Sequence, residues 1–148
     1  LFAVKSYAEN AAKGELKEMF MAGTINENRA RTALVTFAGM EDEEADLQVQ
    51  AYSWERQGFA GATMAAVRDY NEHCAVVGVP KDIYLYIRKF SNNTENDVDE
   101  TTGKTIYYSA MKRVMDEIDS QNLTDAQKTA IARSLGWSEK NIQKYKPW

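Results

Sequence analysis

At 148 residues, 44% hydrophobic and 27% charged, the chain has the length and apolar content of one domain able to bury about two-thirds of its unfolded surface. Its single cysteine, Cys74, excludes an internal disulfide, and with His73 as the sole histidine a four-ligand zinc cluster is excluded too, so the fold rests on packing and suits a reducing compartment. A net charge of −4 argues against wholesale wrapping of nucleic acid, and no apolar run approaches the roughly 20 residues needed to cross a bilayer, so no membrane partner is expected.

Proline occurs only at 80 and 147, and several glycines fall between segments of helical periodicity. This predicts an all-α chain of about seven or eight helices built from helix hairpins, read as a single domain over residues 1–148. Because it begins with Leu1 and not Met, it is also read as a processed chain or a piece of something longer.

The first helix is expected from Phe2 to about Ala22, with Ala8, Ala12, Leu16, Met19 and Phe20 on one face and Gly14 as a break. In "TINENRARTALVTFAG", Thr24 and Glu27 have the spacing of a capping box, Ala30, Ala33, Leu34 and Phe37 form the apolar stripe, and Gly39 ends the helix. The next helix opens on an acidic block, Glu41 to Glu44 with Asp46, which suits the positive end of a helix dipole better than a metal site; Leu47, Ala51 and Trp54 carry its inner face.

Residues 63–77 place Val67, Tyr70, Cys74 and Val77 on one side, and after Gly78 a helix opened by Pro80 carries Ile83, Ile87 and Phe90. Residues 91–104 read as an acidic polar loop. Tyr107, Met111, Val114 and Ile118 then form a narrow seam. The end of the chain has a second capping box, Thr124 with Gln127, then Ala130 and Ile131 facing inward, a turn at Gly136 and a cap at Ser138, with Leu135, Trp137, Ile142, Tyr145 and Trp148 holding the end down. The expected core is Leu34, Phe37, Trp54, Val67, Tyr70, Ile87, Met111, Val114, Ile118 and Ile131.

Candidate chemistry is sparse. His73 and Cys74 are neighbours in sequence and point about a third of a helical turn apart, unlike a nucleophile and its base; no catalytic residue is assigned. Asp97 and Asp99 have the alternate spacing of calcium ligands, but the glycine falls one place late at 103 and Tyr108 stands where a bidentate glutamate belongs, so no metal and no cofactor is expected. The tail from Thr124 holds five cations against Asp125 and Glu139, a local +3. Residues 124–146 match the grammar of a helix-turn-helix, in which Lys140, Asn141, Gln143 and Lys144 would meet nucleic acid. A structural hairpin is the preferred reading, because Pro147 stops the second helix after about two turns and few arginines or paired amides are present to read base edges.

The stretch "TGKTIYYSAMKRVMDEIDSQNLTDAQKTAIARSLGW", with Asp97 and Asp99 before it, resembles a segment of virion-associated and minor structural proteins of bacteriophages and prophages of Gram-positive bacteria. The likeness is carried by Asp97, Asp99, Gly103, Thr105, Ile106, Ser109, Lys112, Val114, Ile118, Leu123, Gln127, Lys128, Leu135, Gly136 and Trp137, and "MAGTINENRARTALVTFAGMEDEEADLQV" is similar to helix pairs preceding it there. The chain departs from the pattern by an extra loop residue before Gly103 and by bulky Tyr107 and Tyr108. The resemblance implies a non-enzymatic helical module in the bacterial cytoplasm or the virion, binding other phage proteins or itself. Two competing expectations are a DNA-binding protein using the tail and an acidic phage inhibitor of a host nucleic-acid-binding system.

Overall fold

The computed structural model describes residues 2–148, with side chains from Lys5 onward. The chain is all-α. Among the described residues eight helices follow in order: α1 (Phe2–Met21), α2 (Glu27–Ala38), α3 (Asp42–Arg56), α4 (Met64–His73), α5 (Lys81–Asn92), α6 (Ser109–Asp119), α7 (Asp125–Ser134) and α8 (Glu139–Tyr145), with a 3-10 turn at Ala75–Val77. Among the described residues, extended backbone pairs only at an isolated antiparallel bridge, Val98 with Thr105, and no helix is long and apolar enough to cross a membrane. The chain divides into two compact units, residues 1–68 and 69–148.

The first unit packs α1, α2 and α3 around Phe20, Ala30, Leu34, Ala38, Met40, Ala45, Val49 and Tyr52. Alanines at 30, 38 and 45 let the helices approach, and the Phe20 and Tyr52 rings fill the centre 6.4 Å apart. The Arg56 guanidinium lies 5.4 Å from the Phe20 ring centre, so its charge faces a π cloud. Gly14 does not break α1, which continues seven residues beyond it to Met21. A glycine costs a helix about 1 kcal/mol relative to alanine, and the packing of Leu16 and Phe20 outweighs that. Ala8 and Met19 are exposed, so the inner stripe of α1 is narrower than the spacing suggested.

Two expectations for α2 are corrected. Asn26, not Thr24, caps it: the Asn26 side chain accepts from the Arg29 amide at 2.8 Å. Thr24 is engaged one element earlier, where its amide donates to Met19 O at 2.8 Å and the Gly23 amide to Phe20 O at 3.0 Å, the paired bonds that close α1. Phe37 is not core; it is 66% exposed. The buried arc of α2 runs through Ala30, Leu34 and Ala38 with Arg31, Ala33 and Val35 half-covered on its two sides, and Phe37 lies outside it, facing outward. Gly39 ends the helix as expected, at φ 68°. Trp54 and Ala51 are buried, Leu47 half-buried, and Asp42, Glu43 and Glu44 occupy the exposed first turn of α3.

In the second unit, α4 stops at His73, short of the sequence expectation, and residues 75–77 tighten into the 3-10 turn ending at Gly78. Tyr70 locks this corner by donating to Val79 O at 2.7 Å, while its ring meets Tyr84 edge-on at 5.1 Å. Arg88 pairs with Asp69 at 2.8 Å. On α6 the seam is Met111, Val114, Met115 and Ile118; Tyr107 lies before the helix and is 78% exposed, which removes it from the seam. The second capping box forms in full, Thr124 Oγ1 accepting from Gln127 N at 3.1 Å and Gln127 Oε1 accepting from Thr124 N at 3.0 Å. The Gln127 amide nitrogen also donates to Val77 O at 3.1 Å, tying α7 to the 3-10 turn. Of the expected core, Val67, Tyr70, Ile87, Met111, Val114, Ile118 and Ile131 are buried along with Leu34 and Trp54.

Candidate functional site

The expected positions resolve into three separate places. Cys74 is fully buried; burial pushes its thiol up to about 11, against a hydrogen bond with Ser134. His73 is half-buried with Nε2 3.9 Å from Glu72. Cys74 is therefore a protonated core thiol at neutral pH, unsuited to nucleophilic attack.

In the loop after α5 the two aspartates face protein donors. Asp99 Oδ1 accepts from the amides of Thr101 at 2.8 Å and Thr102 at 2.9 Å, and those bonds, Thr102 foremost, hold its carboxyl below the ordinary range. Asp97 pairs with Arg113 at 3.1 Å, and Arg113 also donates to the Glu95 carbonyl. Among the described residues no group of three His, Cys, Asp or Glu side chains is placed to hold a metal ion.

The tail folds as α7, a turn, and α8. Ser138 caps α8 by accepting from Asn141 N at 3.2 Å. Lys140, Gln143 and Lys144 are exposed and Asn141 half-buried. Lys140 and Lys144 are one turn apart on one face, but Lys144 lies 5.2 Å from the centre of the Tyr145 ring. Arg133 bonds both oxygens of Glu139, which lowers the Glu139 carboxyl below its ordinary value with further help from Gln143. Ile142 is fully buried, Trp137 and Tyr145 half-buried, and the Trp148 indole donates to Thr129 Oγ1 at 3.0 Å. These contacts fasten the hairpin from within.

A concavity lies beside this hairpin. A cleft of about 340 Å³ is lined by Asn96, Tyr107 and Tyr108 from the loop, Met111 and Val114 from α6, and Trp137 from the last turn, with Ser91, Thr94 and Ala110 completing it. Three local features build it. The loop is folded back by the Val98–Thr105 bridge and by the Ile106 amide donating to Asp97 O at 2.7 Å. Asn96 Oδ1 then accepts from Ala110 N at 2.9 Å, so a side chain 14 residues upstream caps the amide end of α6. Finally Tyr108, the residue preceding α6, sits at φ 65°, the one non-glycine with positive φ among the described residues. That conformation costs roughly 1–2 kcal/mol for an L-residue. It turns the Tyr108 ring onto Tyr145, centroids 5.3 Å apart and planes at 28°, and joins the loop to α8.

Sequence reasoning placed Tyr107 in a helical seam and Trp137 in the packing of the tail, and it gave Asn96 and Tyr108 no role in a site. A second cleft of about 350 Å³ shares Thr94 with the first and is lined by Tyr86, Lys89, Phe90 and Asn93. A third, of about 290 Å³, lies on the outward flank of α2 between Asn28, Arg29, Thr32, Ala33, Thr36 and Phe37. Set against protein-family models, curated proteins and solved structures, the chain matches none of them.

Proposed function

We propose that this chain is a non-enzymatic helical module of a bacteriophage or prophage structural or virion-associated protein, working through protein contacts. The observation that carries the reading is the outward flank of α2. There Phe37 is 66% exposed next to Arg29, Ala33 and Thr36, at the edge of the buried arc formed by Ala30, Leu34 and Ala38. Solvent-facing phenylalanine on regular structure has no role in folding this helix, whereas aromatic and arginine side chains around a shallow depression are the composition of a protein-binding hot spot. The resemblance of residues 97–137 to phage structural segments supports the phage assignment.

The test is sedimentation velocity of the full chain, alone and mixed with the structural proteins encoded beside it. Self-association or a mixed complex that is abolished by Phe37→Ser, with an unchanged circular dichroism spectrum, is the expected result. A chain that stays monomeric and binds none of those proteins overturns the reading. The competing reading, DNA recognition by the tail, draws support from the exposed Lys140 and Lys144 one turn apart on α8. Selection of one duplex sequence at near-physiological salt, abolished by Asn141→Ala and Lys144→Ala, would establish it in place of the first.

A further inference from the structure

The cleft between the loop, α6 and Trp137 is chemically distinct from the α2 flank. None of its nine lining residues carries a formal charge, in a chain where 27% of residues do. A site for phosphate, nucleic acid or a carboxylate would need arginine or lysine in its wall, and a site for a cation would need carboxylates. Its lining is instead aromatic at Tyr107, Tyr108 and Trp137 and apolar at Met111 and Val114.

Polar groups are present and poised. The Asn96 oxygen is committed to Ala110 N, which fixes the orientation of the amide and leaves its NH2 donors without a protein acceptor among the described residues. The Tyr107 and Tyr108 hydroxyls and the Trp137 indole N–H likewise have no protein partner among the described residues. Thr94 Oγ1 donates to Phe90 O at 2.6 Å and keeps a lone pair to accept with. The Tyr108 ring is held by its stack on Tyr145, so this part of the lining is arranged before any ligand arrives.

We infer that this cleft binds an uncharged oligosaccharide. A pyranose ring presents one face of C–H bonds, which carry partial positive charge and settle on the electron-rich face of an aromatic ring, and an edge of hydroxyls that both donate and accept. Aromatic rings beside fixed amide and hydroxyl groups, with no ion in the wall, match both features. The adjoining cleft across Thr94, lined by Tyr86 and Phe90 with rings 6.2 Å apart, by Asn93 and by Lys89 as its one charged side chain, extends the surface beyond one sugar unit and accounts for an oligosaccharide over a monosaccharide. The inference is independent of the protein-contact reading, which concerns Phe37 in the other unit.

The experiment is amide-resolved NMR titration of the full chain with neutral glucose-, galactose-, rhamnose- and N-acetylglucosamine-based oligosaccharides, beside a sulfated oligosaccharide and a proline-rich decapeptide. The expected result is binding of at least one neutral sugar that moves the resonances of Asn96, Tyr107, Met111 and Trp137 and is insensitive to salt. Two variants keep the fold. Tyr107→Ala alters a residue 78% exposed, and Asn96→Asp keeps the oxygen that caps α6 while removing the two donors. Each should weaken sugar binding ~10-fold or more, as removal of one well-placed ring or hydrogen-bond donor does, and Phe37→Ser should leave it unchanged. The inference falls if no neutral oligosaccharide binds at ~10 mM, a Kd weaker than any useful recognition. It falls equally if only the sulfated sugar or only the peptide binds, or if binding survives both variants.

Discussion

Replacing Tyr108 by alanine and by glycine separates two opposing effects at one residue. Its ring stacks on Tyr145, worth about 1 kcal/mol beyond buried area, while its backbone at φ 65° costs about 1–2 kcal/mol. Tyr108→Ala removes the stack and keeps the backbone cost, so the second unit should lose about 1 kcal/mol or somewhat more. Tyr108→Gly removes the stack as well but relieves the backbone, a gain partly offset by the roughly 0.5–1 kcal/mol of extra chain entropy that glycine loses on folding. Glycine is also the better residue ahead of a helix. The glycine variant should therefore be the more stable by about 1 kcal/mol, the reverse of the order for these residues inside a helix. Urea unfolding followed by fluorescence measures this in a Trp54→Phe background, because Trp137 and Trp148 lie in the unit that carries the substitution and Trp54 in the other. A second Tyr145→Ala series closes the cycle, and the coupling between Tyr108 and Tyr145 should be about 1 kcal/mol. Alanine equal to or better than glycine would refute the left-handed conformation, and zero coupling would refute the stack.

Tyr70→Phe keeps the ring against Tyr84 but leaves the buried Val79 carbonyl without its 2.7 Å donor, and chemical denaturation should show a loss of about 1–3 kcal/mol. Two glycine substitutions should have opposite signs. Gly14→Ala, mid-helix with nothing within 4 Å of the new methyl, should raise stability by about 0.5–1 kcal/mol, whereas Gly39→Ala, at φ 68° with the Glu9 carboxylate in the way, should lower it by more than 1 kcal/mol. Cys74 ionises near 9 in the unfolded chain and near 11 when folded, so the folded state holds the proton more tightly: its contribution is complete below pH 9 and lost as pH rises toward 11. Unfolding measured across that window should show stability falling, and Cys74→Ala should flatten the decline.

The helices were legible where their signals are local. Thr124 and Gln127 are three residues apart, and the bonds that make the capping box lie within those residues, so spacing alone was sufficient. The same spacing misled at Thr24 and Glu27 because Thr24 was already engaged in closing α1, a demand from the preceding element that a window centred on α2 does not contain. Gly14 misled for the complementary reason. A penalty of about 1 kcal/mol is a local preference, and burial of Phe20 at 2% exposure outweighs it. Phe37 shows the limit of periodicity. The i, i+3, i+4 rule gives a stripe about 100° wide but does not say which part of it the neighbouring helices cover, and here the covered part is Ala30, Leu34 and Ala38 with Phe37 left beyond its edge.

The cleft was less legible, because it depends on contacts that no short window holds. Its lining runs from Ser91 to Trp137, and its geometry depends on Asn96 reaching Ala110 and Tyr108 reaching Tyr145. A signal was nonetheless available. Met111, Val114, Met115 and Ile118 mark α6 as a strongly one-sided helix, yet the residue before it is a tyrosine with no side-chain oxygen able to reach its own first-turn amides. Orphan amides at a helix start take an acceptor from water or from a side chain, and here a side chain from the preceding loop folds back onto the end of α6. The acidic loop before α6 holds the candidates, Asn92, Asn93 and Asn96 among them. Such a fold-back leaves the intervening residues as a compact flap whose apolar members, here Val98, Ile106 and Tyr107, have no core to enter and remain exposed. Exposure of the flap is therefore a consequence of how α6 is capped, and the same bond that satisfies the helix places the two tyrosines at the mouth of the cleft.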